Sequence, residues 1–171
     1  KPILNDKLLK PYKSELFNRL NIPSDKRLAI LHARDSGWID LPYHDYRNSN
    51  INNYIEAIKL LENENWFVVR IGDPSMEKLL YESPNLIDLP HMPLYLEGDD
   101  AKLISYCDLY VGQNSGPITL AWLFSKDIVM LNEPNPFIGR FFNNDEKEPK
   151  TVTLFKHQIK DKKKLCIFQI L

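Results

Sequence analysis

A histidine and an arginine two positions apart, His32 and Arg34, close the apolar run Leu28-Ala29-Ile30-Leu31 and are followed by Asp35, Ser36 and Gly37. On an extended backbone, residues i and i+2 point the same way, so an imidazole and a guanidinium would meet one ligand there. Taken alone, the pair reads equally well as a satisfied buried histidine beside a salt-bridging surface arginine. A second chemistry-bearing stretch is the turn Gly112-Gln113-Asn114-Ser115-Gly116-Pro117. Leading into a helix, it offers free backbone N–H groups, the Ser115 hydroxyl, and a glycine, Gly116, that lets a ligand approach the main chain. Such a turn suits phosphate, and Arg34 would add a planar fork matched to phosphate oxygens. A Gly-x-x-Ser-Gly turn by itself is mostly just a helix cap, so the argument depends on the two stretches meeting.

The elements that would bring them together follow from the pattern of the chain. Apolar positions Leu8, Leu9, Tyr12, Leu16 and Leu20 read as a lead-in helix over 7–20, broken or shortened by Pro11. Leu28–Ala33 is a first buried strand. The segment from Asp35 to Ser49 has no period and holds Pro42, His44, Asp45 and Arg47; a connection that long is usually functional or disordered. Asn48, Ser49 and Asn50 offer caps for an amphipathic helix bearing Ile51, Tyr54, Ile55, Ile58 and Leu61. Trp66–Ile71 is a second strand, after which Gly72-Asp73-Pro74 predicts a short helix carrying Met76, Leu79 and Leu80. Asn85–Leu89 is a third strand, Asp99 and Asp100 open a further helix, and Asp108–Val111 is a fourth strand. Helix Ile118–Phe124 and strand Asp127–Leu131 complete the alternation.

Strand and helix in alternation predict an α/β, doubly wound parallel sheet of the Rossmann-like kind. In the common order 3-2-1-4-5 the first and fourth strands are neighbours, and ligands bind outside their carboxyl ends. Arg34 would then face the Gly112–Pro117 turn. The expected division is a lead-in segment 1–27, a Rossmann-like ligand-binding unit 28–133 and an extension 134–171. The extension holds an acidic patch at 145–148, a possible strand Thr151–Phe155 and a lysine-rich turn before an apolar end. A first residue that is not Met and an apolar ending give the expectation of a piece of something longer.

The 171 residues, 43% hydrophobic and 26% charged, suit one globular unit with a sizeable core. A formal charge of −1 gives no electrostatic footprint for nucleic acid. Two cysteines, Cys107 and Cys166, make neither a disulfide framework nor a zinc set, and no run approaches the roughly 20 apolar residues of a membrane span. A cytoplasmic location is expected. The Gly-x-Gly-x-x-Gly fingerprint, the Gly-Lys-Ser/Thr phosphate loop and the Gly-x-Ser-x-Gly elbow are missing. Histidines 32, 44, 91 and 157 have no metal-ligand spacing, so no metal and no cofactor is implied. Trp38, Tyr43 and Tyr46 could stack a base or sugar, or simply pack over their loop.

Together, His32–Gly37, Asp45-Tyr46-Arg47-Asn48, Arg70–Ser75 and Gly112–Pro117 resemble a family of bacterial glycosyltransferases of the GT-B type, over about residues 28 to 133. More distantly, His-x-Arg after the first strand, Asp-Pro-Ser after the second and the stretch Asp100–Asp108 before a Ser-containing turn are similar to the nucleotide-sugar domain of fucosyltransferases. Asp35 stands where those enzymes often carry a second arginine, which counts against GDP-fucose. The resemblance implies the carboxyl-terminal, donor-binding half of a GT-B enzyme, acting on a nucleotide-diphosphate sugar and a glycan or other hydroxyl acceptor without a metal, in work such as cell-surface polysaccharide assembly. It implies that Arg34 is catalytic, steadying the departing diphosphate. His32, Asp73, Asp100, Asn114, Ser115 and Gly116 would bind the donor. Asp35, His44 and Asp45 remain candidates for the base or for acceptor contact, unless the base comes from an amino-terminal domain outside this chain. A GDP-sugar is favoured, because a carboxylate at Asp100 could accept both N–H groups on the guanine edge; the plainer role of Asp100 is to complement its helix dipole. The alternatives are another GT-B enzyme, such as a nucleotide-sugar epimerase, or a non-catalytic phosphate-binding module. A donor half alone is expected to bind nucleotide without efficient sugar transfer.

Overall fold

The structure is a computed structural model that describes residues 6–38, 40, 42–133, 150–155, 158–160 and 163–165. Its centre is a six-stranded parallel sheet in the order β3-β2-β1-β4-β5-β6. The strands are β1 (Arg27–His32), β2 (Trp66–Arg70), β3 (Leu86–Asp88), β4 (Leu109–Gly112), β5 (Asp127–Glu133) and β6 (Thr151–Phe155). The expected 3-2-1-4-5 order is present, and β6 extends it at the edge by pairing with β5. A separate antiparallel pair joins β7 (Gln158–Lys160) to β8 (Lys163–Leu165).

Apolar residues alternate across β1 because both faces of the sheet are covered. Leu28 and Ile30 pack with Leu16 and Phe17 of α1 (Asp6–Arg19) and Leu20 just after it, Leu103 and Ile104 of α3 (Asp99–Tyr106), and Ile118 and Ala121 of α4 (Gly116–Leu123). Ala29, Leu31 and Ala33 pack on the opposite face, with Ile51 and Tyr54 of a 3-10 turn (Ile51–Tyr54) and Ile58 of α2 (Ile55–Asn63). The Asn50 side chain accepts from the Asn52 N–H and so caps this turn, as the sequence led us to expect.

Two elements differ from expectation. α1 runs 14 residues through Pro11 instead of breaking, its far end held by the burial of Leu16, Phe17 and Leu20. No helix forms over Met76–Leu80, because long-range side chains take the backbone groups a helix would have used. The Glu77 N–H donates to Asp35 Oδ2 (2.8 Å), the Leu79 N–H to Asp88 Oδ2 (3.1 Å) and the Leu80 N–H to Asn52 Oδ1 (2.7 Å). The Glu77 carbonyl accepts from Arg70 Nη2 at 3.1 Å. Tertiary hydrogen bonds here outweigh a short helix, which has little intrinsic stability.

Arg70 is the anchor of that segment. Its side chain is wholly buried at the end of β2, and Nη1 pairs with Asp88 Oδ1 at 2.9 Å. Removing one partner of a buried ion pair leaves the other charge desolvated, at a cost of about 3–5 kcal/mol. Arg70→Met should lower unfolding free energy in a denaturant titration by about that amount. A loss below about 1 kcal/mol would mean that the pair is not what holds residues 72–88 in place.

Candidate functional site: a cleft at the carboxyl ends of β1 and β4

β1 and β4 pair in parallel with His32 opposite Gly112, so the loops leaving both strands emerge side by side. Between them lies a cleft of about 590 Å³, walled by His32, Arg34, Asp35, Trp38, Arg47, Gly72, Asp73, Met76, Tyr95, Asp100, Ser115, Gly116 and Pro117. This is the topological switch point of the sheet, where an open α/β fold offers a crevice to ligands.

The turn before α4 is tied to the long loop after β1 by one side chain. Gln113, only 2% exposed, accepts from the Arg34 N–H (2.6 Å) and the Ser49 hydroxyl (2.9 Å) through Oε1, and donates from Nε2 to the Arg47 carbonyl (2.9 Å). Arg47 in turn donates to the Asn114 carbonyl, and Arg34 to Asn48 Oδ1. Both guanidinium groups therefore stand on the cleft wall on braced backbone. Ser115 occupies the N-cap position of α4 but makes no capping bond; its hydroxyl lies 3.2 Å from His32 Nδ1 and donates to the Gln113 carbonyl at 3.3 Å. A Cβ added at Gly116 would meet no atom within 4 Å, so the space before the α4 N-terminus is open.

The loop after β1 is also fixed against the segment after β2. Asp35 Oδ1 accepts from the Gly37 N–H at 2.8 Å, and a Cβ on Gly37 would lie 2.3 Å from the Ser75 carbonyl oxygen, so only glycine fits this crossing. Gly72 has φ +149°, a conformation that other residues rarely adopt, and a Cβ there would lie 2.7 Å from Met76 Sδ. Asp73 accepts from the Ser75 hydroxyl (2.5 Å) and N–H (2.9 Å), which hold its carboxyl below the usual range.

Two cleft groups are displaced in pKa. His32 is pushed down to about 4, first by burial and then by Arg70, with Arg34 adding and Asp35 opposing, so its ring is neutral near pH 7. Asp100 is raised to about 6, chiefly by burial and next by Asp99, with Asp73 adding and Arg70 opposing. Its Oδ1 is buried without a hydrogen-bond partner. The adjacent Asp99 is fully spent on structure: it is buried, pairs with Arg19 at 2.7 Å and accepts from the Leu96 N–H at 2.9 Å.

The sequence-expected residues thus divide. Arg34, His32, Asp35, Asp73, Asp100, Ser115 and Gly116 converge on the cleft. Asn114 does not line it and contributes only its carbonyl to Arg47. Asp45 is exposed, off the wall, and accepts from Asn48. His44 lies in the 3-10 turn Pro42–Arg47, and its side chain is outside the described residues. Asp35 spends both carboxylate oxygens on backbone amides, which makes it a loop brace rather than a free base. Trp38 is on the wall and 64% exposed, whereas Tyr43 and Tyr46 are exposed away from it. Arg47, Tyr95 and Gln113 were not expected; for Arg47 the signal was the Asp45–Asn48 motif, and for Gln113 its place in the turn. Among the described residues no three His, Cys, Asp or Glu side chains form a metal set, and no helix is long and apolar enough to cross a membrane.

No family model and no curated protein sequence matches the chain. Solved structures do. The glycosyl transferase family 9 structure from Veillonella parvula DSM 2008 aligns with 86% of this chain at 15% identity and TM-score 0.57. E. coli ADP-heptose LPS heptosyltransferase II aligns with 89% at 16% identity and TM-score 0.57. The fold is Rossmann-like and aligns with part of each of these transferase structures. The wall teichoic acid polymerase TagF shares it over 75% of this chain, at 15% identity and TM-score 0.51. The chain spans 40% and 44% of the length of the first two structures and 30% of TagF.

The shifted carboxyl makes a pH prediction. A carboxyl raised from 3.8 to about 6 favours the fold while protonated, and that contribution is lost as the pH rises through 6. His32 has the reverse sign: it favours the fold when neutral, and its contribution is lost as the pH falls from 6.5 toward 4. Asp100→Asn should therefore be more stable than the parent by about 1–2 kcal/mol at pH 7, with the difference closing by about pH 4. Thermal melts across that range test this; a difference that does not vary with pH would contradict it.

Proposed function

We propose that the cleft binds a nucleotide-diphosphate sugar and that the chain is the donor half of a GT-B glycosyltransferase. The observation that carries this reading is the joining of two guanidinium groups, Arg34 and Arg47, to an uncapped helix N-terminus at the switch point of the sheet. Guanidinium forks and free backbone N–H groups are the donors a diphosphate needs. They can also offset the negative charge that grows on a departing diphosphate when the glycosidic bond to the donor breaks, which is work otherwise available from a metal ion. Arg34 is the catalytic residue in this reading, with the α4 N-terminus and Ser115 beside it.

Asp100 fits the nucleoside. Its unpartnered oxygen suits a base that presents N–H donors, and guanine offers two on one edge. Asp73, His32, Tyr95 and Trp38 complete the wall available to base, ribose or sugar. The heptosyltransferase among the similar structures is named for an ADP-linked donor, so adenine belongs in the same comparison. The acceptor, a glycan or other hydroxyl compound, would be held by a facing domain outside these residues. That domain would also exclude water, so these residues alone bind nucleotide but transfer sugar poorly.

Calorimetric titration with GDP, ADP, UDP and CDP tests the reading. Binding of at least one nucleoside diphosphate is expected, with Arg34→Lys weakening it about tenfold because the charge is kept while the planar fork is lost. Absence of binding by all four, or an affinity unmoved by Arg34→Lys, would contradict it.

A further inference from the structure

Arg34 lies just beyond the end of β1 and Arg47 closes the 3-10 turn Pro42–Arg47, and the backbones of both are tied to one buried amide in the turn after β4. That amide belongs to a longer chain of hydrogen bonds. Asn132 Nδ2 donates to the Tyr54 hydroxyl at 2.7 Å, which lies 3.0 Å from the Ser49 hydroxyl; Ser49 donates to Gln113 Oε1 at 2.9 Å. The line thus runs from the carboxyl end of β5, through the start of α2, to Gln113 and the backbone of both arginines. Asn132 stands at φ +51°, where the pairing of β5 with β6 shifts register between Met130 and Glu133, so a local irregularity turns its amide toward Tyr54. None of these side chains lines the cleft, and the fold's apolar core does not need their polar atoms.

We propose that Gln113 is a positioning residue for phosphate recognition, the hub of an Asn132–Tyr54–Ser49–Gln113 chain that sets where Arg34 and Arg47 present their guanidinium groups. The physical reason is entropy and aim. Two long side chains on a loop bind a diphosphate well only when their backbone is held to a fraction of an ångström, and a misplacement of about 1 Å can cost up to a hundredfold. Gln113 supplies this hold by using both ends of its amide: the oxygen fixes Arg34 through its N–H, and the nitrogen fixes Arg47 through its carbonyl. Leucine or methionine would fill the same space and hold neither. The inference rests on the nucleotide-diphosphate reading above and adds the residue on which it depends.

The test compares GDP with guanosine, which has no phosphate, in the parent chain and in Gln113→Met, Tyr54→Phe, Ser49→Ala and Ser49→Thr. Gln113→Met should weaken GDP about tenfold while guanosine changes less than about twofold. Tyr54→Phe and Ser49→Ala should show smaller losses of the same selectivity, and Ser49→Thr, which keeps the hydroxyl, should restore the parent ratio. If Gln113→Met does not fold, Tyr54→Phe and the two Ser49 variants decide alone. Equal losses for GDP and guanosine, or none for either, overturn the proposal. Nuclear magnetic resonance of the arginine Nε–H groups provides a ligand-free readout. The Arg34 and Arg47 signals should move or broaden in Gln113→Met and Tyr54→Phe while the Ile30 and Val69 amides stay in place. Should the parent chain bind no nucleoside diphosphate, the functional reading fails; unmoved arginine signals would then overturn the positioning role separately.

Discussion

The parallel pairing of β1 with β4, His32 against Gly112, is the constraint from which the site follows. Once these strands are neighbours, the chain leaving β1 and the turn entering α4 must share one edge of the sheet. Crossovers on both faces leave that edge as the open crevice. The pairing by itself fixes backbone only. Gln113 converts it into a site by sealing the two loops together from below, where water cannot compete for its amide. The polar groups gathered around the cleft are two guanidinium groups on its wall, a helix N-terminus without a side-chain cap, and a buried Asp100 oxygen with no hydrogen-bond partner.

That arrangement carries a cost in the folded chain. Asp100 is held in a poorly solvated position beside Asp99 and Asp73, and His32 is kept neutral by burial and by the fixed positive charge of Arg70. Both groups owe their displacement first to burial, and the shifts run in opposite directions within one cleft, a pattern in keeping with the binding role proposed above. The framework around them is braced separately: Arg70 with Asp88 and Asp99 with Arg19 pair off the cleft wall, while Asp35, on the wall, accepts from the Glu77 N–H.

Much of this was legible in the residues. Leu28–Leu31 reads as a covered strand because neither face can be polar, and strand–helix alternation then sets the order of the sheet and places Arg34 against Ser115. The lost helix at Met76–Leu80 was not legible, because its backbone donors are taken by Asp35, Asn52 and Asp88, at sequence separations no local pattern records. For Arg47 the Asp45–Asn48 motif was the one signal, but its place on the wall depends on Gln113 and the Asn114 carbonyl, contacts across the fold that the motif does not record. Asp99 and Asp100 look alike in sequence; only the approach of Arg19 from α1 separates the structural carboxylate from the one facing the cleft.

The most direct measurement of the central claim is a map of amide resonances as GDP or ADP is added to the isotopically labelled chain. The account predicts that the largest changes fall on Gly116, Ile118, Ser115, Arg34 and Arg47, where the phosphates would meet the α4 N-terminus and the guanidinium groups. Changes centred elsewhere, on α2 or on the β7–β8 pair, or a spectrum that nucleotide leaves unaltered, would contradict it.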